Sequence, residues 1–322
     1  MTSSPRRIRI GTRSSALALA QAHQVAAQLN ALGVDTELKE YTTIGDRILD
    51  RPLSAIGEKG LFTAELEADL RDGITDCAVH SLKDLPTADP DGLDVVALLE
   101  REDPRDAFVA RAGSAVTSLE ALPPGARVGT SSLRRRAQLL ALRPDLVVCE
   151  LRGNVGTRLR KLDDGEVDAA LLAAAGLRRL GLGDRITSLL NPPHWLSAPG
   201  QGAIAVQARA SDDAVRAVLA RLDHAPTREA ITAERTLLGT LEGGCQVPIG
   251  AAVVMHNGTL MLHGLIADVR GETVLRSHAP VDRHAPAAAG TVVAEALLRD
   301  GAQRILDGLR QGAHTTNAGG AA

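Results

Sequence analysis

Aromatic side chains are almost absent: Tyr41, Phe62, Phe108 and Trp195 are the only ones in 322 residues. Single-stranded nucleic acid is gripped by stacking its bases on such rings. No nucleic-acid partner is therefore expected. The three cysteines, Cys77, Cys149 and Cys245, are odd in number and far apart, which excludes a disulfide framework or a Cys-x-x-Cys zinc site and suits a reducing compartment. No apolar run approaches the roughly 18 to 20 residues of a membrane span. Met1-Thr2-Ser3-Ser4-Pro5-Arg6-Arg7 leads into a strand-like run without a signal-peptide core, so a cytoplasmic protein with no membrane partner is expected. There is no dinucleotide or phosphate glycine loop, no His-Glu-x-x-His and no Gly-x-Ser-x-Gly elbow, so no nucleotide, zinc or serine-hydrolase chemistry is indicated, and no metal is expected.

What is present is an ordinary globular composition, 44% hydrophobic with net charge −3, of a length that divides into two or three domains. β-branched runs alternate with helical patterns through two successive stretches. Ile8-Arg9-Ile10 precedes a helix starting near Ser15 and stopping at Gly33, then come a polar strand through Tyr41, a helix over 62–71, and strands at Cys77-Ala78-Val79 and 95–99. The pattern restarts at Arg127-Val128-Gly129 with a helix from Ser132, a strand over 146–149, a helix near Val155 and a strand over 169–172. Strand, helix, strand implies parallel α/β sheets. A strand over 203–208 could return the chain to the first lobe. The remainder reads as helices over 212–222 and 226–241, strands over 249–255, 260–267 and 273–277, and one helix over 287–309, with 312–322 as a disordered tail.

Several strand-to-helix loops carry chemistry. Between Arg127 and Lys161 there are nine basic residues against Asp145 and Glu150. In Gly129-Thr130-Ser131-Ser132-Leu133-Arg134-Arg135 a helix begins with hydroxyls and two arginines, with Leu133, Ala137 and Leu140 as its expected inward stripe. Arginine in a first helical turn opposes the helix dipole unless an anion is present, although an ordinary capped helix with surface arginines remains open. Leu151-Arg152-Gly153-Asn154-Val155-Gly156-Thr157-Arg158 and Gly11-Thr12-Arg13-Ser14-Ser15 occupy the same kind of position. Ligands of open α/β sheets bind at the carboxyl ends of strands, so these loops are expected to converge on a polyanion held between lobes. At His80-Ser81-Leu82-Lys83-Asp84-Leu85-Pro86, Asp84 either stabilises positive charge arising in a reaction or simply closes an Asx-type turn before Pro86. Cys245, in Glu242-Gly243-Gly244-Cys245, follows a helix C-terminus, which disfavours a thiolate. That suits a thiol modified once by an electrophile; Cys77 and Cys149, in apolar strands, read as buried structural residues.

Taken in order, these loops, with Gly60-Leu61-Phe62, Glu100 to Asp106, Gly200-Gln201-Gly202-Ala203 and Leu241 to Gly250, resemble hydroxymethylbilane synthase (porphobilinogen deaminase) from about Ile8 to about Leu309. The resemblance implies two periplasmic-binding-protein-like α/β lobes, 1–101 with 198–220 and 102–197, and a smaller C-terminal α+β domain, 221–311. It implies a monomeric transferase that condenses four porphobilinogens onto a dipyrromethane cofactor attached at Cys245. The implied catalytic carboxylate is Asp84, assisting cationic pyrrole and azafulvene species. Implied cofactor contacts are Arg13, Ser15, Ser81, Lys83, Asp84, Thr130, Ser132, Arg134, Arg135, Arg152, Gly153 and Arg158. Implied substrate contacts are Arg13, Gln21, Arg152, Arg158, Arg179 and Gln201, and Lys59 and Phe62 match a mobile loop. Ala55 stands where some relatives carry a lysine. Each porphobilinogen brings two carboxylates, so arginines are the side chains such a ligand requires.

Overall fold

The computed structural model describes residues 7–43, 63–241 and 247–318, with side chains as far as Arg310. In chain order its strands and helices are β1 (Ile8–Arg13), α1 (Ala16–Ala31), β2 (Thr36–Tyr41), α2 (Ala64–Arg71), β3 (Cys77–Ser81), β4 (Leu93–Leu98), β5 (Asp106–Ala110), β6 (Arg127–Gly129), α3 (Leu133–Leu142), β7 (Val147–Cys149), α4 (Val155–Asp163), β8 (Ala169–Ala173), α5 (Ala174–Arg179), β9 (Ser188–Leu190), β10 (Ile204–Arg209), α6 (Asp213–Leu219), α7 (Ala225–Thr240), β11 (Ile249–His256), β12 (Thr259–Ala267), β13 (Val274–Pro280), α8 (Pro286–Arg299) and α9 (Ala302–Ala318).

The described chain clusters into two compact units, one holding residues to 43, 63–102 and 202–228, the other 103–201 and 229–318. The first is built on a sheet of order β2-β1-β3-β10-β4, in which β1 pairs in parallel with β2 and β3 while β10 runs antiparallel to β3 and β4. The returning strand over 203–208 is thus β10. The second unit repeats this arrangement in the order β7-β6-β8-β5-β9, again with one strand, β5, running antiparallel to the other four. It also holds the antiparallel sheet β11-β12-β13. Two α/β lobes and a smaller C-terminal α+β sheet domain are what these sheets form.

Local rules account for most elements. Ser15 caps α1 by accepting from the Ala18 N–H, and Gly33 ends it at φ +79, where a Cβ would be strained. The inner face of α1, Ala22, Val25 and Leu29, packs on Ile8, Ile10, Val79 and Val206. In the C-terminal domain Leu237 of α7 and Val293 and Leu297 of α8 cover Leu262 and Ile266 of β12. Among the described residues no helix is long and apolar enough to cross a membrane.

Four readings change. β5 and β9 were not anticipated, because a charged stretch leads into β5 and β9 is only three residues long. The single helix over 287–309 is two, broken at Gly301 with φ +108, and the second continues to Ala318 through much of the expected tail. In α3 the buried side is Arg134, Arg135, Ala137, Gln138 and Leu139; of the expected inward stripe Ala137 is buried, while Leu133 and Leu140 are only half-buried. Cys77 is fully buried, and burial pushes its thiol pKa up, but Cys149 is only half-buried because β7 is an edge strand.

Candidate functional site

In the first unit β1 and β3 are parallel neighbours, so their carboxyl ends lie side by side. Arg13 ends β1, Ser81 ends β3, and the 3₁₀ turn Leu82–Asp84 follows directly. Together they line a cavity of about 60 Å³ whose walls include Arg13, Ser15, Gln21, Thr63, His80, Ser81 and Asp84. Gln21 is buried on α1 and its Nε2 lies 2.8 Å from Ser81 Oγ, which fixes the hydroxyl. Lys83 sits in the same turn, half-buried, outside the cavity lining. Thr63 follows the run Gly60-Leu61-Phe62 and His80 opens the run His80 to Asp84, but neither is among the expected contacts.

Burial pushes the His80 pKa down to about 4, with the Gln207 amide partly opposing and Arg13 adding to the shift. His80 Nε2 and both Gln207 side-chain polar atoms are buried without a partner in hydrogen-bond geometry. The fold therefore holds the imidazole neutral, whereas the unfolded chain protonates it below about pH 6.5. Since the unfolded state binds the extra proton, stability declines as pH falls from about 6.5 towards about 4, by roughly 3 kcal/mol at most. Urea midpoints across that window are expected to show this slope in the wild type and a shallower one in His80→Gln. Equal slopes would show that the imidazole is not held neutral.

In the second unit the parallel strands β6, β7 and β8 bring three more loops to one sheet edge. The Thr130 N–H donates to Cys149 O at 2.9 Å and Ser131 Oγ to Leu151 O at 2.8 Å, locking the first loop to the second. A Cβ on Gly129 would lie 2.7 Å from Leu151 Cδ2, so any larger residue would have to push the Leu151 side chain aside. Ser132 caps α3, and Thr130 Oγ1 accepts from the Ser132 N–H. Asn154 caps α4, while Arg158 Nε donates to the carbonyl of Gly153, itself at φ +113. Arg152 Nη1 is buried with no hydrogen-bond partner, and its ion-pair neighbour Glu150 stands 4.0 Å away. A buried guanidinium nitrogen left without an acceptor marks a place for an anion. Arg179, in the last turn of α5 beyond β8, is half-buried.

Arg134, Arg135 and Gln201 converge on one side chain of the protein itself. The anion that α3 requires is a protein carboxylate. Asp106, completely buried, accepts at Oδ2 from Arg134 Nη1 (2.6 Å) and Trp195 Nε1 (2.7 Å), and at Oδ1 from Arg135 Nη2 (2.8 Å) and Nε (3.0 Å) and Gln201 Nε2 (2.9 Å). Arg134 Nη1 also donates to Leu196 O and Arg135 Nη1 to Leu171 O. The two arginines are 4% and 5% exposed, so their charge is spent inside the fold and not offered at an open edge. The two guanidinium groups hold the Asp106 carboxyl far below the usual carboxylate range, against the opposing effect of burial. A second buried carboxylate, Glu234 on α7, accepts from the N–H groups of Gly200 and Val253. Asp106 and Glu234 were both missed; only Glu100 to Asp106, as a charged stretch, hinted at the first.

Cys245, Lys59, Phe62 and Ala55 lie outside the described residues. Among the described residues no group of three or more His, Cys, Asp or Glu side chains could hold a metal ion.

Residues 8–217 match the family model of the porphobilinogen deaminase dipyrromethane cofactor binding domain, and residues 228–299 match that of the porphobilinogen deaminase C-terminal domain. The chain belongs to the porphobilinogen deaminase family. Membership makes it a transferase of tetrapyrrole biosynthesis, with dipyrromethane as cofactor. A porphobilinogen deaminase from Roseiflexus castenholzii is 51% identical over 303 residues, which is 93% of this chain and 98% of that protein. Among solved structures the chain is similar to the methionine binding protein MetQ (14% identity, TM-score 0.43, 68% of this chain and 90% of that one). It is similar also to the lipoprotein Tp32 from Treponema pallidum (14%, TM-score 0.43, 67% and 90%).

The described residues fit the porphobilinogen deaminase cofactor by their donor set. Dipyrromethane made from porphobilinogen carries several carboxylates, and the loops holding Thr130, Ser132, Arg152 and Arg158 offer hydroxyl and guanidinium donors, including the unpartnered Arg152 Nη1.

Proposed function

We propose that this chain acts as a hydroxymethylbilane synthase, joining four porphobilinogen molecules onto a dipyrromethane held covalently at Cys245. Ammonia leaves at each condensation, and hydrolysis releases linear 1-hydroxymethylbilane. The observation that carries the reading is the cavity in which Asp84 shares its walls with Arg13, Ser15 and Ser81, in a chain 51% identical to a porphobilinogen deaminase.

When bound, dipyrromethane supplies the pyrrole carbon on which the chain grows. The protein's own residues bind, orient and balance charge. Asp84 stabilises the positive charge that develops as the amine leaves, and can take up and return a proton at its carboxylate. Arg13 and Ser15 bind carboxylate side chains, with Ser81 set by Gln21 and Lys83 adding a cation from the neighbouring turn. Thr130, Ser132, Arg152, Gly153, Arg158 and Arg179 do the same at the edge of the second unit. Arg134, Arg135 and Gln201 act through their bonds to Asp106.

The reading divides the chain into domains of 1–101 with 198–220, 102–197 and 221–311. It includes a monomer in the cytoplasm with porphobilinogen as its small-molecule partner and neither nucleic acid nor membrane. Scarce aromatics and three dispersed cysteines support that setting.

Intact mass tests the proposal. The wild type is expected to weigh one dipyrromethane more than its sequence, to lose that excess in Cys245→Ser, and to release ammonia from porphobilinogen. Active protein of bare sequence mass would remove Cys245 as the tether. Closure around carboxylates without ammonia release would instead indicate a binding module.

A further inference from the structure

The cavity in the first unit contains a hydroxyl that the roles above leave unused. Thr63 occupies the N-cap position of α2 with φ −126 and ψ −24, yet its side chain makes no capping bond. Threonine at that position ordinarily turns its oxygen back onto the helix N–H groups. Here only the Thr63 carbonyl serves the helix, accepting from the Glu67 N–H at 2.8 Å. The residue is 3% exposed and lines the cavity. The helix makes no use of this hydroxyl, so it can donate to a group held in the cavity.

The neighbouring groups specify what that group is. Ser15 Oγ already accepts from the Ala18 N–H, so it has a hydrogen to give. Arg13 is a cation with donors only. A cavity of about 60 Å³ has room for a few water molecules, hence for a carboxylate and its methylene. The α2 dipole adds little, because Glu65 and Glu67 already occupy its first turn.

We propose that Thr63 is a substrate-binding residue whose hydroxyl donates to a side-chain carboxylate of the substrate held by Arg13 and Ser15. This rests on the porphobilinogen reading above. Such a contact acts in the ground state and the transition state alike, so its loss raises KM and leaves kcat nearly unchanged.

The test pairs Thr63→Val, which keeps the shape and removes the hydroxyl, with Thr63→Ser, which keeps the hydroxyl. For Thr63→Val the KM for porphobilinogen is expected to rise roughly tenfold with kcat within about twofold of wild type, and Thr63→Ser is expected to restore KM. A second readout needs no turnover: sodium propionate, against sodium chloride at equal ionic strength, is expected to raise the Tm of the wild type and of Thr63→Ser more than that of Thr63→Val. Unchanged KM and propionate response in Thr63→Val would overturn the proposal. So would a Thr63→Ser variant as impaired as Thr63→Val, which would make the methyl group's packing the cause. If the wild type released no ammonia from porphobilinogen, the function reading would fall while the propionate comparison still decided whether Thr63 binds carboxylate.

Discussion

Asp84→Asn is expected to lower ammonia release from porphobilinogen by about 10²- to 10⁴-fold, the range set by removing a charged acid-base group, while the thermal midpoint stays close to that of the wild type. The two expectations come from the same geometry. Asp84 closes the 3₁₀ turn Leu82–Asp84 beyond β3 and is only half-buried, so an asparagine of the same shape can keep the turn. What it removes is, among the described residues, the one carboxylate lining a cavity that otherwise presents Arg13, neutral polar groups and a few apolar side chains. Positive charge developing on the substrate would then face Arg13 without a counter-charge, and a proton at the reacting centre would lose its acceptor. Single-turnover ammonia release together with a melting curve checks both halves. Near-normal turnover would take Asp84 out of the mechanism, and loss of folding would make it a structural turn residue.

Asp106→Asn is expected to act in the opposite sense, destabilising the fold by about 3–5 kcal/mol, as breaking a buried ion pair does. Two guanidinium groups, an indole N–H and the Gln201 amide all donate to this carboxylate. Asparagine removes the charge that balances Arg134 and Arg135 and turns one of two acceptor atoms into a donor facing donors. Trp195→Phe, which removes one bond to the carboxylate and some ring volume but leaves both guanidinium groups paired, is expected to cost less, about 2 kcal/mol, and urea unfolding of the two variants measures the contrast. Acid supplies an independent check. The Asp106 carboxyl is held far below its ordinary value, so its contribution is fully present above the unfolded value of about 3.9 and declines as pH falls below it towards the folded one. The wild type is expected to lose this stability in strong acid, whereas Asp106→Asn has none of it to lose. Equal stability of wild type and Asp106→Asn near neutral pH would show that the cluster is not what holds α3 to β5.

These two carboxylates show where sequence reading stops. Asp84 stands out because it follows a strand within a short recognisable run, His80 to Asp84. Asp106 also lies in a matched run, Glu100 to Asp106, yet nothing local says that it is buried or which cations it meets. Its partners come from 28, 29, 89 and 95 residues away. The dipole argument at α3 called for an anion beside Arg134 and Arg135, and Asp106 is one that no local pattern names.

By itself the sequence determined what depends on near neighbours: the Ser15 cap and Gly33 stop of α1, the strand-helix alternation of two lobes, and the ordered motifs of the porphobilinogen deaminase family; the return of the chain at β10 was only an option there, settled by pairing with β3 and β4. Capping, turn conformation and alternation are settled within a few residues, so they are legible before folding. Tertiary structure alone decided the pairing of β5 and β9, the buried Asp106 cluster, the neutral His80 and the Thr63 hydroxyl in the Asp84 cavity. Each of these follows from burial among distant segments, where desolvation and partner geometry, not residue type, determine whether a charge is offered to a ligand or consumed within the fold.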